Sequence, residues 1–424
     1  MQQTFSPTRL MGRTQAPPSK SEAHRRMICA GLTRGETVLQ GYMPSGDMEA
    51  TEKCLRAFGA ETVREEGALR VTGLGEGHEL LPVYECGESG STLRFMVPIA
   101  LALTGGGIFR MRGHLSRRPM DVYRDLFVPR GVTWRMRPGT DGAAELTVIG
   151  SLPAGDYVLP GSVSSQFVSG LLFALPLRAG DSTLKVEPPV ESSAYIRMTV
   201  QALLDSGIYM EEKEPFCWKI PGGQRYRAAG GMLEGDWSQA AVWLCASALG
   251  SEVQVERLFT RSLQGDRRIT EALTAFGAKV TQEGDCVRVE GNGHLRGTVL
   301  DMRNTPDIAP ILALVGQLAQ GETRLSGCGR LRLKECDRLA ATCELLNALG
   351  GNAAVQGDDL VLHGVRRLKG GVTVSGYDDH RMVMLASIAA LQCEQPVTVT
   401  GVEALNKSWP DYLDAYRALG GLAE

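Results

Sequence analysis

The 424 residues, 43% of them apolar, are too many for one hydrophobic core and enough to fill two or three, so the fold needs neither disulfides nor metal. A net charge of −3, with Lys and Arg dispersed among the acids, excludes a general nucleic-acid surface, and any cationic site must be built locally. The ten cysteines are scattered without a C-x-x-C pair and no apolar run reaches the ~18 residues of a membrane span, so a cytoplasmic protein with no membrane and no nucleic-acid partner is expected.

The N-terminal stretch "MQQTFSPTRLM" is polar and rich in helix breakers, which predicts extended chain and no secretory leader. From there a repeat sets the plan. An amphipathic helix running into a glycine and then a hairpin pattern recurs as "CLRAFGAETV", "YRDLFVPRGVTW", "LLDSGIYM", "LTAFGAKV", "LLNALGGNAAV" and "YRALGGLAE". The marker glycines Gly59, Gly131, Gly207, Gly277, Gly350 and Gly420 stand 70–76 residues apart. Half a step away lies a second helix: "EAHRRMICAGL", "TLRFMVPIALAL", "QFVSGLLFALPL", "SQAAVWLCASAL", "DIAPILALVGQLA" and "HRMVMLASIAALQ". These are apolar almost all round and therefore predicted to be buried. Short alternating strands such as "ETVLQG" and "PVTVTG" follow them. The unit reads β-α-β-α-β-β.

The chain ends four residues after Gly420, so the sixth copy lacks its hairpin, and the extended residues "QQTFSPTRLMGRTQAP" are expected to supply the missing strands. The fold class is α/β, with two similar lobes of three units each and buried inner helices. Residues 15–232 form the expected N-terminal lobe, and 1–14 with 233–424 the C-terminal lobe. A cleft between lobes is the default ligand site, and a monomer is expected.

Polar residues gather ahead of the buried helices, where free N–H groups and the helix dipole favour anions. In "PPSKSEAHRR", Lys20 and Ser21 precede the helix and Arg25 lies one turn in; Ser21 as a plain N-cap is the alternative. "CGESGSTLRFM" places Gly90 among Ser89, Ser91 and Thr92, either an anion nest or a capped helix. "SVSSQFVSG" sets Ser164, Ser165 and Gln166 where hydroxyls either cap or bind. Asp236 in "EGDWSQAA" is best explained as a cap, and Asp307 in "NTPDIAP" as a first-turn acid. "GYDDHRMVM" packs Asp378, Asp379, His380 and Arg381 onto an otherwise apolar helix, where buried charge needs partners. Arg118 and Lys407 add cations on loops. In "RLRLKECDRL", Lys334 and Arg338 stand four apart on one helical face, flanked by Glu335 and Asp337; a surface ion-pair ladder is the alternative. Convergence of these cations in a net acidic chain suits a reaction between two polyanionic small molecules.

The stretches "SKSEAHR", "ESGSTLR", "RRP", "SSQF", "ESSAY", "PD", "KECDR", "DDHRM" and "NKSWPDY", in this order, resemble the 3-phosphoshikimate 1-carboxyvinyltransferase (EPSP synthase) family of enolpyruvyl transferases over essentially the whole chain. The resemblance implies that family's two-lobe fold, an inside-out α/β barrel, and transfer of the enolpyruvyl group of phosphoenolpyruvate to the 5-hydroxyl of shikimate 3-phosphate. No cofactor and no metal are implied. Lys20, Ser21, Arg25, Ser164, Ser165, Gln166, Ser192, Tyr195, Asp307 and Lys334 match the family's shikimate 3-phosphate contacts. Lys20, Gly90, Arg118, Gln166, Arg338, His380, Arg381 and Lys407 match its phosphoenolpyruvate contacts. Asp307, Lys334 and Glu335 match the groups credited with proton transfer; the expectation is that Asp307 takes the 5-hydroxyl proton and that Glu335, held partly neutral by burial, protonates the methylene carbon.

Two positions depart from the common pattern, Glu88 and Arg330, where many members carry asparagine. One rival is the sister enolpyruvyl transferase acting on UDP-N-acetylglucosamine, many members of which carry a cysteine at the place held here by Gly113. A rival of another class is a DNA-clamp-like ring, but a clamp needs a basic lining and these inner helices are apolar.

Overall fold

The structure, a computed structural model, describes residues 1–74, 81–139 and 143–424. The chain divides into two units, Pro18–Leu233 and Met1–Pro17 together with Glu234–Glu424. These seams differ from the expected 15–232 by a few residues, for a reason visible in the strands. Met11–Gln15 runs parallel to Glu252–Glu256 as far as Gln15, which keeps that residue in the C-terminal unit. Leu233 donates its N–H to the Gln40 carbonyl at 2.9 Å and stays with the N-terminal unit.

Each unit holds three four-stranded sheets. In the N-terminal unit their strand orders are Gly231–Met232, Glu36–Gln40, Ala68–Thr72, Glu61–Glu65; then Val83–Gly87, Gly106–Met111, Ala144–Ile149, Thr133–Pro138; then Asp156–Pro160, Ser182–Glu187, Cys217–Ile220, Glu211–Glu214. In every case the first pair is parallel and the hairpin that follows is antiparallel. A parallel pair needs a crossover, and in the second and third of these sheets the apolar helices Gly90–Leu103 and Ser165–Ala174 supply it.

The C-terminal unit repeats the scheme with Met11–Gln15, Glu252–Glu256, Cys286–Glu290, Lys279–Glu283, and with Val299–Asp301, Glu322–Ser326, Asp359–His363, Ala353–Gln356. Its last sheet is assembled from both chain ends: Thr373–Ser375, Val397–Thr400, Gln2–Ser6 and Leu422–Ala423. Gln2–Ser6 lies antiparallel to both neighbours, and Phe5 is fully buried. The N-terminal segment therefore fills two places. It supplies one strand of the sixth sheet and the leading strand of the fourth.

The marker glycines explain the period. All six adopt a left-handed backbone, φ between +75° and +99°, at the end of their helices. In each, the glycine N–H bonds three residues back and the next N–H five residues back, as in Gly59 to Arg56 (3.0 Å) and Ala60 to Leu55 (3.1 Å). This Schellman closure wants a residue without a Cβ, so glycine marks each helix end.

The inner helices are buried as their composition requires, and in Trp237–Ala248 every residue is buried. In Gly90–Leu103, Pro98 cannot bond the Arg94 carbonyl, and the Tyr123 hydroxyl donates to that carbonyl instead at 2.9 Å. Among the described residues no helix is long and apolar enough to cross a membrane.

Candidate active site

Four helix starts carry the N-terminal set. Helix Lys20–Leu32 is capped by Ser19, whose hydroxyl accepts from the Glu22 N–H at 3.3 Å. Lys20 and Ser21, expected ahead of the helix, are its first two residues, because the cap sits two positions earlier than Ser21. Lys20 pairs with Asp47 at 2.7 Å. Arg25 is buried and donates to the Ser21 carbonyl at 2.5 Å, the Tyr195 carbonyl at 2.9 Å and Thr199 Oγ1 at 2.8 Å. Burial pushes its pKa down to about 10, which leaves it a cation at neutral pH.

Helix Gly90–Leu103 is capped by Ser89, which accepts from the Thr92 N–H at 3.3 Å. A Cβ at Gly90 would lie 2.7 Å from the Arg118 guanidinium, so the bare glycine is what lets Arg118 rest over the helix start. Gln166 stands in the first turn of Ser165–Ala174, whose cap is Ser164. Its carbonyl accepts from Arg94 at 2.6 Å and its amide donates to Ser91 Oγ at 2.8 Å. Ser192, buried, heads the helix that carries Tyr195 and holds φ +51°, a conformation serine rarely adopts without surrounding restraint.

The C-terminal set centres on Arg338, 1% exposed. Its guanidinium donates to Asp379 Oδ2 at 2.7 Å and Oδ1 at 3.1 Å, to Asp307 Oδ1 at 2.7 Å, and to Glu335 Oε2 at 2.7 Å. Lys334 Nζ reaches the same Asp307 Oδ1 at 2.9 Å. Lys334 and Arg338 meet here, but not through helical spacing. Residues Gly329–Leu333 form a 3-10 turn, and the helix begins only at Arg338, capped by Asp337. The surface-ladder alternative fails on burial, since Arg338 has no exposed face to share.

Electrostatics follow from this packing. Burial opposes the Asp307 charge, but Lys334, Arg338 and Arg381 outweigh it and hold the carboxyl well below its usual range. Burial lowers the Lys334 pKa, against the pull of Asp307. Arg338 is held above its ordinary value despite burial, chiefly by Asp379, then by Glu335 and Asp307. Glu335, expected to be held partly neutral by burial, pairs with Arg338 at 2.7 Å, its side chain 22% exposed. Arg381 donates to the Ser238 carbonyl at 2.5 Å, and Lys407 reaches the Asp378 carboxylate at 3.0 Å and its carbonyl at 2.8 Å. His380, buried, opens helix His380–Ala390, capped by Asp379. Asp236 is a cap, accepting from the Ser238 and Gln239 N–H groups at 2.9 and 3.0 Å. Among the described residues no group of three His, Cys, Asp or Glu side chains is placed to hold a metal ion.

Cations, hydroxyls and carboxylates in these two sets suit anionic substrates and a proton transfer. The family model of EPSP synthase (3-phosphoshikimate 1-carboxyvinyltransferase) matches residues 5–416. The chain belongs to that family. Among its EPSP synthase relatives, a 3-phosphoshikimate 1-carboxyvinyltransferase of Clostridium botulinum (strain Alaska E43 / Type E3) is 38% identical over 98% of this chain and 96% of its own. A relative of the same name from Clostridioides difficile (strain 630) is 36% identical, over 98% and 96%. In structure, an EPSP synthase from Acinetobacter baumannii superposes with a TM-score of 0.83 at 22% identity, over 100% of this chain and 99% of that one. The enolpyruvyl transferase NikO from Streptomyces tendae does so with a TM-score of 0.77 at 18% identity, over 100% and 98%. These likenesses show the fold.

Three partners of the site had no separate signal in the sequence: Asp379 as the bidentate acceptor for Arg338, Asp47 as the partner of Lys20, and Arg94 as the donor to Gln166. Asp379 stood in a cluster already marked as too charged for its helix. Pairing it with Arg338 required the fold, since 41 residues separate them.

Proposed function

We infer that this chain transfers the enolpyruvyl group of phosphoenolpyruvate to the 5-hydroxyl of shikimate 3-phosphate and releases inorganic phosphate. The observation that carries the chemistry is the cluster of Lys334, Asp307, Arg338, Glu335 and Asp379. Asp307 is an ionised carboxylate beside an amine whose proton affinity burial has lowered. That pair can take up the 5-hydroxyl proton as the oxygen bonds to C2 of phosphoenolpyruvate. Glu335, displaced from Arg338 by the incoming carboxylate, takes up a proton from solvent and delivers it to C3, giving a tetrahedral ketal. Loss of a proton from the C3 methyl back to Glu335, with cleavage of the C2–O bond to phosphate, restores the vinyl ether.

Lys20, Ser21, Arg25, Ser164, Ser165, Gln166, Ser192 and Tyr195 take shikimate 3-phosphate in this reading, with Asp307 and Lys334 at its 5-hydroxyl. Lys20, Gly90, Arg118, Gln166, Arg338, His380, Arg381 and Lys407 take phosphoenolpyruvate, arginines suiting its carboxylate and lysines its phosphate as point charges. A phosphoenolpyruvate carboxylate arriving at Arg338 competes with Glu335 for the guanidinium, which frees Glu335 for the proton step. The working unit is a single chain, since it carries every residue named.

UDP-N-acetylglucosamine is disfavoured as acceptor. Gly113, at the place of the sister enzymes' cysteine, holds φ +54°, a backbone that strains any side chain, and a Cβ there would lie 2.7 Å from the Glu88 carboxylate, which would have to move. Phosphate release from phosphoenolpyruvate, measured with each acceptor, decides between them. Turnover with shikimate 3-phosphate alone is expected; turnover with the nucleotide sugar alone would overturn the reading.

A further inference from the structure

In the N-terminal unit one imidazole and three hydroxyls form a chain that none of these roles uses. His24 Nδ1 lies 2.7 Å from Thr51 Oγ1, Thr51 Oγ1 lies 2.7 Å from Thr92 Oγ1, and Thr92 Oγ1 donates to Ser89 Oγ at 2.7 Å. All four residues are at most 1% exposed.

Each hydroxyl has one proton, and the directions follow from the Ser89 end. Thr92 donates to Ser89, so it must accept from Thr51. Thr51 has then spent its own proton and must accept from the Nδ1–H of His24. The imidazole is therefore the neutral Nδ1–H tautomer, with its buried Nε2 unpartnered. Burial, opposed by Asp47 and helped by Lys20 and Arg25, pushes the His24 pKa down to about 3, so the ring stays neutral through the working pH range.

Ser89 also accepts from the Thr92 N–H at 3.3 Å. With both lone pairs filled, its own proton has to point away from the relay. Ser89 is the cap of Gly90–Leu103, and Arg118 rests over the next residue, Gly90. Reversing the His24 tautomer would reverse every bond in the line and turn the Ser89 proton inward, offering a lone pair where a donor stood.

We propose that the Ser89 hydroxyl is a hydrogen-bond donor to the anionic group of phosphoenolpyruvate at the start of this helix, and that His24 and Thr51 are positioning residues that aim it. A donor at a helix N-terminus beside a guanidinium strengthens binding only to an acceptor that bears negative charge. The inference rests on the enolpyruvyl-transfer reading, which phosphate release by the parent enzyme tests independently of any variant.

The test combines Ser89→Ala, Thr51→Val, Thr51→Ser and the Ser89→Ala/Thr51→Val pair in steady-state kinetics. Ser89→Ala should raise KM for phosphoenolpyruvate roughly tenfold, the low end for a lost bond to a charged group, with kcat within about twofold of the parent. Thr51→Val keeps shape and loses the relay, so it should raise the same KM about threefold, while Thr51→Ser restores it. In the Ser89→Ala background, Thr51→Val should change KM by less than about twofold, because the hydroxyl it aims is gone. Selective 15N-histidine labelling, with His24 assigned from the signals missing in His24→Asn, should show a protonated Nδ1 and a bare Nε2. An unchanged KM in Ser89→Ala, effects of the two substitutions that simply multiply, or a His24 protonated on Nε2 would each overturn the proposal.

Discussion

Replacing Arg338 by methionine removes a charge from a place water does not reach, and the geometry gives the size of the effect. Methionine keeps most of the aliphatic volume, so a cavity is a small part of the loss. The three carboxylates respond differently. Glu335, 22% exposed, can turn toward water, and Asp307 keeps Lys334 at 2.9 Å. Asp379 has no exposed surface and is left with the Arg381 N–H at 2.8 Å, the Cys336 thiol at 3.5 Å and the His380 Nδ1 at 3.8 Å. Leaving one partner of a buried pair uncompensated costs about 3–5 kcal/mol, against about 0–1 for an exposed pair. Because two of the three acids keep an outlet, roughly 3 kcal/mol is expected. Urea unfolding followed by tryptophan fluorescence measures it; Trp237, Trp243 and Trp409 all report on the C-terminal unit. Adding Asp379→Asn removes the stranded charge, so the double variant should recover about 1–2 kcal/mol of the loss. A loss below about 1 kcal/mol in Arg338→Met, the value of a solvated pair, would refute the picture of a buried hub.

Glu335→Gln keeps size and hydrogen-bonding capacity but cannot deliver a proton, so kcat should fall by ~10²–10⁴ with KM for phosphoenolpyruvate little changed; a kcat within about threefold of the parent would remove Glu335 from the proton step. His24 supplies a pH signature. Its folded pKa of about 3 lies below the ordinary 6.5, so the unfolded chain binds the extra proton between those values. Its contribution is complete above pH 6.5 and lost as pH falls toward 3. Relative to His24→Asn, the parent should lose about 1.4 kcal/mol per pH unit, close to 3 kcal/mol by pH 4, in denaturant titrations; parallel curves would show that His24 does not stay neutral in the fold.

How legible the protein was depended on how local the cause was. The six helix-ending glycines could be read because a Schellman closure is decided within seven residues and leaves one residue type visible at each. The all-apolar helices could be read for a similar reason, since no face of Trp237–Ala248 is left for water. Lys334 was assigned to a helical face because its spacing to Arg338 fits one. The chain takes a 3-10 turn through Leu333 instead, and the two cations reach one oxygen of Asp307 by tertiary packing. The N-cap at Ser19 rather than Ser21 is a near-tie between serines two apart that propensity does not resolve. The Arg338 partner of Glu335 was equally out of reach. A carboxyl lodged against apolar side chains and one held by a buried guanidinium read alike in a linear sequence.

Six copies of one unit present helix N-termini in repeated positions, yet chemistry gathers at only some of them, and two aspartate caps show how that difference arises. Asp236 spends one oxygen on the Ser238 N–H, the Gln239 N–H and the Ser238 hydroxyl, the last at 2.6 Å, all within its own first turn. Asp379 gives its helix only the Arg381 N–H at 2.8 Å through Oδ1, and both its oxygens also receive Arg338. The first cap serves its own helix through that oxygen. The second is open toward another unit of its lobe, and it is this opening that admits a guanidinium to a site with no exposed surface. Once Arg338 is there, Asp307 and Glu335 have a cation to gather round, and a fold made of structural caps acquires a buried charge cluster without any change in backbone plan. The same contrast holds for serine. Ser19 caps through its own first turn alone, whereas Ser89 caps while also accepting the Thr92 hydroxyl, which commits its proton to whatever lies beyond the helix. A cap whose hydrogen-bonding capacity exceeds the needs of its own helix is where this repeated scaffold makes room for function.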